Sequence, residues 1–498
     1  MTILLFRRPL PVVPALILLL FCLFFAVAPH FDLLPMFARF NEARILELLL
    51  LVATCCCFAG HPALRAKWLD VFDTLPKPSK LLMLAVVLLG CISATQAAYP
   101  AFAGLEVALF VLLFGATLCL AVCRRELGET FDRVMLLAII VMSLPCFTAF
   151  LSNYLFALFG EVGFERDILF ENYANVRFFN QLQGWTLSLI VVPLLLYPGR
   201  PSWQKIICAI AAINWWLLLF VSGGRGTVLS ALVAFPVTRL IYGAKARPWF
   251  RWQIVTALTG FVLYLVLILL LPAVLELNFN AAQIGLLGRN ITYSNGRFEL
   301  WTIALEMIVN SPWLGVGPMH YAANPTILYA HPHNAPLQLA AEWGIPVALL
   351  VLVLFIWGAV RWVLRSKVSA ATEDDGNLRV AVFGALLTSA LYSLFDGVIV
   401  MPISQIMLVL IIGWMLGLLT PQTMHCKPVA RFRQLVLILS FAVVLTGVLR
   451  PLFPSVFCLE ELQRKYDQAN PKAPYLKTRF WQQGILTGYP KTSPCQTN

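Results

Sequence analysis

The chain has 498 residues, 60% of them hydrophobic and only 12% charged, with a mean hydropathy of +0.82 and a formal net charge of +12. No soluble domain of this size needs so much apolar surface. Alternating barrel strands of about 10 residues are absent, so the composition points to an all-α polytopic membrane protein with spans of about 20 residues.

Hydropathy predicts about 12–13 transmembrane helices, near 10–29, 45–60, 79–98, 103–123, 135–158, 184–198, 204–222, 226–242, 254–275, 336–360, 380–396, 398–420 and 432–450. The seams at 222/226 and 396/398 leave open a tight hairpin or a broken helix. The first run follows Arg7 and Arg8 like a signal peptide, but it is long, ends in VAPHFD and shows no small-x-small cleavage site. It reads as an uncleaved first span. The chain then divides into N-terminal helices (1–158), a loop (159–183), central helices (184–275), a large loop (276–335), C-terminal helices (336–450) and a tail (451–498). Within the large loop, GRFELWTIALEMIVNSPW carries apolar residues at helical spacing and predicts an amphipathic helix at or above the membrane interface.

With the N-terminus inside, short inner loops collect roughly 22 of the 36 basic residues, as the positive-inside rule requires. Both long loops and the tail then lie outside, and any chemistry is expected there or within the membrane. The net charge reports this topology; no basic–aromatic groove accompanies it, so nucleic acid is not an expected partner. Ten of the twelve cysteines lie in or beside spans, and no CxxC pairs with a second, so no zinc site is expected. Cys458 and Cys495 share the outer tail and can pair in an oxidising compartment; two free thiols is the equal alternative.

The run at 336–360 opens unusually for a lipid-facing segment, with HPHNAPLQLAAEWG at 331–344. Asn334 suits a helix cap and Pro336 a first turn. Asn334, Gln338 and Glu342 recur every four residues and form one stripe, which should face the bundle interior or a wet cavity. His333, at the positive end of that helix, is biased toward its neutral form and can accept a proton near neutral pH. Alone, it and His331 are more simply interfacial surface, with Asn334 merely a cap.

Three arginines fall on the outer side: Arg177 in NVRFFNQ, Arg225 between glycines in SGGRGT, and Arg297 in SNGRFELW. Guanidinium groups match phosphate oxygens and stay charged, and the glycines beside Arg225 permit close approach of a ligand. Singly, each suits a snorkelling interface residue. Asp396 at a span seam can orient a histidine, pair an arginine or simply make a turn. Glu165 and Asp167 in FERD form a weak candidate for a divalent cation. No GxSxG, HExxH or Walker A motif occurs.

These residues, taken together, resemble the O-antigen ligase / O-antigen polymerase / O-linked oligosaccharyltransferase superfamily of bacterial inner-membrane glycosyltransferases. The likeness rests on His333-Asn334, nine residues, Gly344, then Val347, with SPWLGVGPMHY, glycine-flanked Arg225, Arg297 with Trp301, and RFFNQ after Arg177 in family order over residues 170–420. It implies a GT-C-like fold in the inner membrane with its site facing the periplasm. It also implies transfer of a glycan from undecaprenyl diphosphate to a hydroxyl. His333 would be the general base, and Arg225, Arg297 and Arg177 would hold the diphosphate. Asn334, Gln338, Glu342, His331 and Asp396 would support them. No metal or cofactor is implied beyond the lipid-linked donor, and the anomeric centre would invert. RFFNQLQ and HPHNAPLQLAAEWG look more like the pilin-type, protein-directed transferases; lipid A core or a growing polysaccharide are the alternative acceptors. A transporter or flippase of a lipid-linked or anionic solute would use the same arginines, although no inverted repeat is seen. A metal-dependent transferase built on Glu165 and Asp167 is the third alternative.

Overall fold

The structure is a computed structural model and describes residues 11–461, 464, 468, 477–484 and 486, without 161–163, 165–166, 197–200, 278, 280–284, 289–295, 325–328, 370–372, 420–429 and 462–463. Among the described residues it is all helix and turn, with no strand. Among the described residues, ten stretches are long and apolar enough to cross a membrane. The chain is a multi-pass membrane protein.

The first layer is α1 (Val12–Ala26), α2 (Arg39–Gly60), the short α3 (Pro62–Thr74), α4 (Lys77–Gln96), α5 (Pro100–Leu127) and α6 (Glu129–Phe159). A proline in the first turn opens α3, α4 and α5, where a missing N–H costs nothing. α5 is apolar around its whole circumference and is buried along most of its length, the pattern of a central helix. It packs against α1, α2, α3, α4 and α6. α4 presents Leu81, Leu84, Leu88 and Ile92 outward, an apolar face suited to lipid.

The second half comprises α7 (Val176–Thr186), α8 (Val192–Leu195), α9 (Ser202–Ser222), α10 (Arg225–Tyr242), α11 (Arg247–Tyr264) and α12 (Leu271–Val274). α13 (Arg297–Asn310), α14 (Ala335–Trp343), α15 (Ile345–Ser369), α16 (Glu373–Tyr392), α17 (Pro402–Leu419) and α18 (Arg431–Val456) follow. α17 packs along α5, and α16 along α10 and α7. α10 and α11 together form one long apolar stretch, turned by a tight 3-10 segment at Gly243–Ala246.

Two predicted spans need correction. The segment 184–198 is not a continuous helix: α7 ends at Thr186, and residues 187–191 are turns before α8. Backbone that leaves a helix inside a membrane protein must find partners within the protein. Here Gln253 Nε2 donates to the carbonyls of Leu187 (3.0 Å) and Ser188 (3.2 Å), Trp249 Nε1 donates to Ser188 O (2.9 Å), and Ser188 Oγ donates to Ala381 O (2.6 Å). The segment 336–360 is also two pieces, α14 and α15, divided at Gly344. The seam at 222/226 is a tight turn, with Gly223 in the left-handed region (φ 71°) between α9 and α10. The seam at 396/398 is a run of turns between α16 and α17.

Gly344 has φ 88°, and a Cβ there would lie 2.2 Å from Trp313 O. Only glycine fits, so the polar start of the predicted span becomes a separate short helix. Gly344→Ala should therefore lower stability by about 2 kcal/mol or more, combining backbone strain and the clash. Thermal unfolding of the purified protein in detergent measures this. An unchanged melting temperature would show that the break tolerates a side chain.

Candidate active site

The loop HPHN is held from three directions. Asn334 caps α14, its Oδ1 accepting from Leu337 N at 3.0 Å, while its Nδ2 donates to Leu394 O at 3.1 Å. Trp301 Nε1 donates to Pro332 O at 3.1 Å, which latches the start of the second turn of α13 onto the peptide between the two histidines. His333 N donates to His331 Nδ1 at 3.3 Å, and the two rings lie 4.1 Å apart edge to face. His333 itself sits at φ 52°, left-handed backbone that a non-glycine residue adopts at a cost. That strain presents its ring to a cleft of about 330 Å³ lined by Asn175, Arg177, Tyr329, His331, Asp396 and Thr478, among others.

Asp396 fixes the imidazole. Its Oδ1 lies 3.3 Å from His333 Nδ1. An ionised carboxylate can only accept, so Nδ1 carries the proton and Nε2 keeps its lone pair. Asp396 also accepts from Gln181 Nε2 (3.2 Å), Gly397 N (2.7 Å) and Tyr392 Oη (2.7 Å). Burial alone would raise its carboxyl. The hydrogen bond from His333, with the charge of Arg177 and the hydrogen bond from Tyr392, instead holds it below the ordinary carboxylate range. Burial pushes His333 below the ordinary imidazole range; Asp396 works against this, while Arg177 and Arg297 reinforce it. His331 is pushed further down, chiefly by burial, with Arg479 and Arg177 reinforcing this and Asp396 opposing it. Both rings are thus neutral near pH 7.

The predicted arginines reach this site by different routes. Arg177, in the first turn of α7, has Nη1 3.5 Å from His333 Nε2 and its guanidinium 5.9 Å from the Tyr329 ring centre. Arg297 opens α13 one turn before Trp301, and its charge is felt at His333. Arg225 opens α10 and donates from Nε to Leu286 O at 3.0 Å. The next residue, Gly226, lies against Tyr392, the residue bonded to Asp396. Four helices, α7, α10, α13 and α14, therefore begin around the cleft or its supports. Their unsatisfied N–H groups and the guanidinium groups both favour an anion there.

The glycines beside Arg225 need a different explanation from ligand approach. A Cβ at Gly224 would sit 2.8 Å from Asn180 Cγ, and one at Gly226 2.7 Å from Tyr392 Cε2. They admit α7 and α16 and so bring those helices close to Arg225. Gln338 and Glu342 do not line the cleft either. Gln338 Nε2 donates to Glu342 Oε2 (3.1 Å), and Glu342 accepts from Tyr321 N (3.0 Å) and Arg479 Nη2 (2.6 Å). Their stripe faces the protein interior. Cys458 is disulfide-bonded, and Cys495 lies outside the described residues. Glu165 and the Asp167 side chain also lie outside them.

Other residues around the site stand out less in the sequence. Gln181 stands in the quoted RFFNQLQ. Glu106, a lone carboxylate inside the apolar run AGLEVALF, marks a buried partner by its cost in lipid. Thr478 and Arg479, far along the tail, have no local pattern to reveal them.

Residues 207–352 match the family model described as O-antigen ligase. This stretch is similar to the O-antigen ligase family. It runs from α9 into α15, and so includes Arg225, Arg297, His331, His333, Asn334 and Glu342 but neither Arg177 nor Asp396. No curated protein matches the chain. A ligase-family stretch in a multi-pass membrane protein marks a glycosyltransferase-type enzyme for O-antigen-type units.

The two depressed imidazoles give this cleft a pH signature. A buried histidine held neutral binds fewer protons than the unfolded chain does, so its stability contribution is complete above about pH 6.5 and drains as pH falls below that value. Asp396, also depressed, adds to the loss only below about pH 4. The melting temperature should therefore drop between pH 7.5 and 5.5, and the drop should shrink in His331→Gln/His333→Gln. An equal slope in that double variant would assign the effect elsewhere.

Proposed function

We propose that the protein transfers an oligosaccharide or O-antigen unit from undecaprenyl diphosphate to a hydroxyl acceptor on the periplasmic face of the inner membrane. The observation that carries this reading is the Asp396–His333–Arg177 line, which joins an oriented neutral base to a guanidinium at 3.5 Å. In the step, His333 Nε2 takes the acceptor hydroxyl proton. The acceptor oxygen bonds to the anomeric carbon as the bond from that carbon to the diphosphate oxygen breaks. The attack comes from the face opposite the leaving group and inverts the centre. Arg177, Arg225 and Arg297, with the helix N-termini, stabilise the departing diphosphate, the place where charge develops. In this reading the arginines take the charge role that a metal ion would fill, and transfer is metal-independent.

Arg177 must exchange the His333 ring for a phosphate oxygen when the donor binds, which frees Nε2 for the acceptor. His331 keeps its ring against His333 and restricts it to one orientation. The acceptor proposed is a Ser or Thr of a protein such as pilin, on the strength of RFFNQLQ and HPHNAPLQLAAEWG. A lipid A core sugar is the second reading, favoured by the O-antigen ligase description of residues 207–352.

Membranes supplied with lipid-linked donor test the chemistry. His333→Ala should lose about 10²–10⁴ of the transfer rate, the range for a general base. Arg177→Ala, Arg225→Ala and Arg297→Ala should each lower it, and chelator should not. Undiminished transfer by His333→Ala removes the base. Movement of donor across the bilayer without transfer would return the transporter. Deletion of the gene, followed by intact-mass analysis of pilin beside a lipopolysaccharide gel, identifies the acceptor by which one loses its sugar.

A further inference from the structure

The tail segment Lys477–Gly484 is folded into the bundle. Gly484 N donates to Lys477 O at 2.9 Å and closes the segment into a loop. One side of it is fixed to α2. Arg44 Nε donates to Phe480 O at 3.1 Å, its guanidinium lies 5.0 Å from the Phe480 ring centre, and Asn41 Oδ1 accepts from Gln482 N at 2.7 Å. The other side is fixed by charge. Arg479, 3% exposed, donates through Nη2 to both Glu106 oxygens (2.8 and 2.9 Å) on α5 and to Glu342 Oε2 (2.6 Å) on α14. A buried guanidinium held by two carboxylates cannot leave without stranding all three charges, so this loop has one seat.

That seat puts the preceding residue in the active-site cleft. Thr478 shares its wall with Arg177, His331, His333 and Asp396, and its side chain makes no hydrogen bond to any described residue. The same Arg479 braces Glu342, two turns along the helix that His333 precedes. The arginines proposed for the diphosphate come from α7, α10 and α13, whereas the loop is held by α2, α5 and α14. The hydroxyl of Thr478 is thus supplied by separate elements from those that bind the leaving group.

We propose that the loop 477–484 forms part of the catalytic cleft: Thr478 is a specificity-determining residue whose hydroxyl hydrogen-bonds the acceptor, and Arg479 is the positioning residue that seats it. This rests on the glycosyl-transfer reading above. Acceptor choice is then encoded partly in a segment outside the stretch similar to the ligase family.

The test uses the full-length protein in detergent, with undecaprenyl-diphosphate oligosaccharide as donor and purified pilin or lipid A core as acceptor. Thr478→Val keeps the shape and removes the hydroxyl. It should raise the acceptor KM about tenfold, the worth of one hydrogen bond, while the donor KM and melting temperature stay at the native values. Arg479→Lys keeps the charge but not the guanidinium geometry. It should raise the acceptor KM as well, and adding Thr478→Val should cost nothing more, because both changes act through one contact. A merely structural arginine would instead lower activity without that split, and the two effects would multiply. A native acceptor KM in Thr478→Val, or a rise in donor KM alone, defeats the proposal. His333→Ala run in parallel separates the two claims: if it transfers normally, the glycosyl-transfer reading itself has failed.

Discussion

A carboxylate buried in protein is costly unless its lone pairs are occupied, and Asp396 meets that condition by accepting from His333, Gln181, Tyr392 and Gly397. Three of these donors are side chains on separate segments: α7, α16 and the loop before α14. Satisfying one anion therefore sets the relative position of those segments. It also decides which nitrogen of His333 is protonated. The His333 imidazole is oriented as a by-product of keeping Asp396 ionised.

A second buried ionic cluster stabilises the neighbouring region. Arg44 is 1% exposed, pairs with Glu47 at 2.5 Å and reaches Gln405 and Val400 O. Arg479 bridges Glu106 and Glu342. Their carbonyl and aromatic contacts meet at Arg479 and Phe480. Because each arginine is paired, removing one partner costs more than the pair contributes. The cluster links α2, α5, α14, the turn before α17 and the tail loop. It resists separation of the elements that carry the cleft.

Fold class was written in the composition, since an apolar run with nowhere to hide its backbone must become a helix. The HPHN loop and its helix were legible through Asn334, Pro336 and the four-residue spacing to Gln338 and Glu342, because capping and helical periodicity act over a few residues. Two breaks were not. Hydropathy sums over windows and sees Leu187–Val191 as apolar, although the side chains of Trp249 and Gln253 are what allow that backbone to leave the helix. The role of the glycines beside Arg225 was equally hidden, since it depends on Asn180 and Tyr392 arriving from other helices.

The sequence by itself determined what the protein is made of: membrane helices, a capped histidine loop, and arginines kept in a chain poor in charge. Those properties follow from local spacing and from the cost of charge in lipid. Only the tertiary structure decided which groups meet. It set Asp396 against Nδ1 of His333, Arg177 against Nε2, and Thr478 on the same wall. These contacts join residues 63, 156 and more than a hundred positions apart, and pairing over such separations is fixed by packing and charge compensation in the finished bundle.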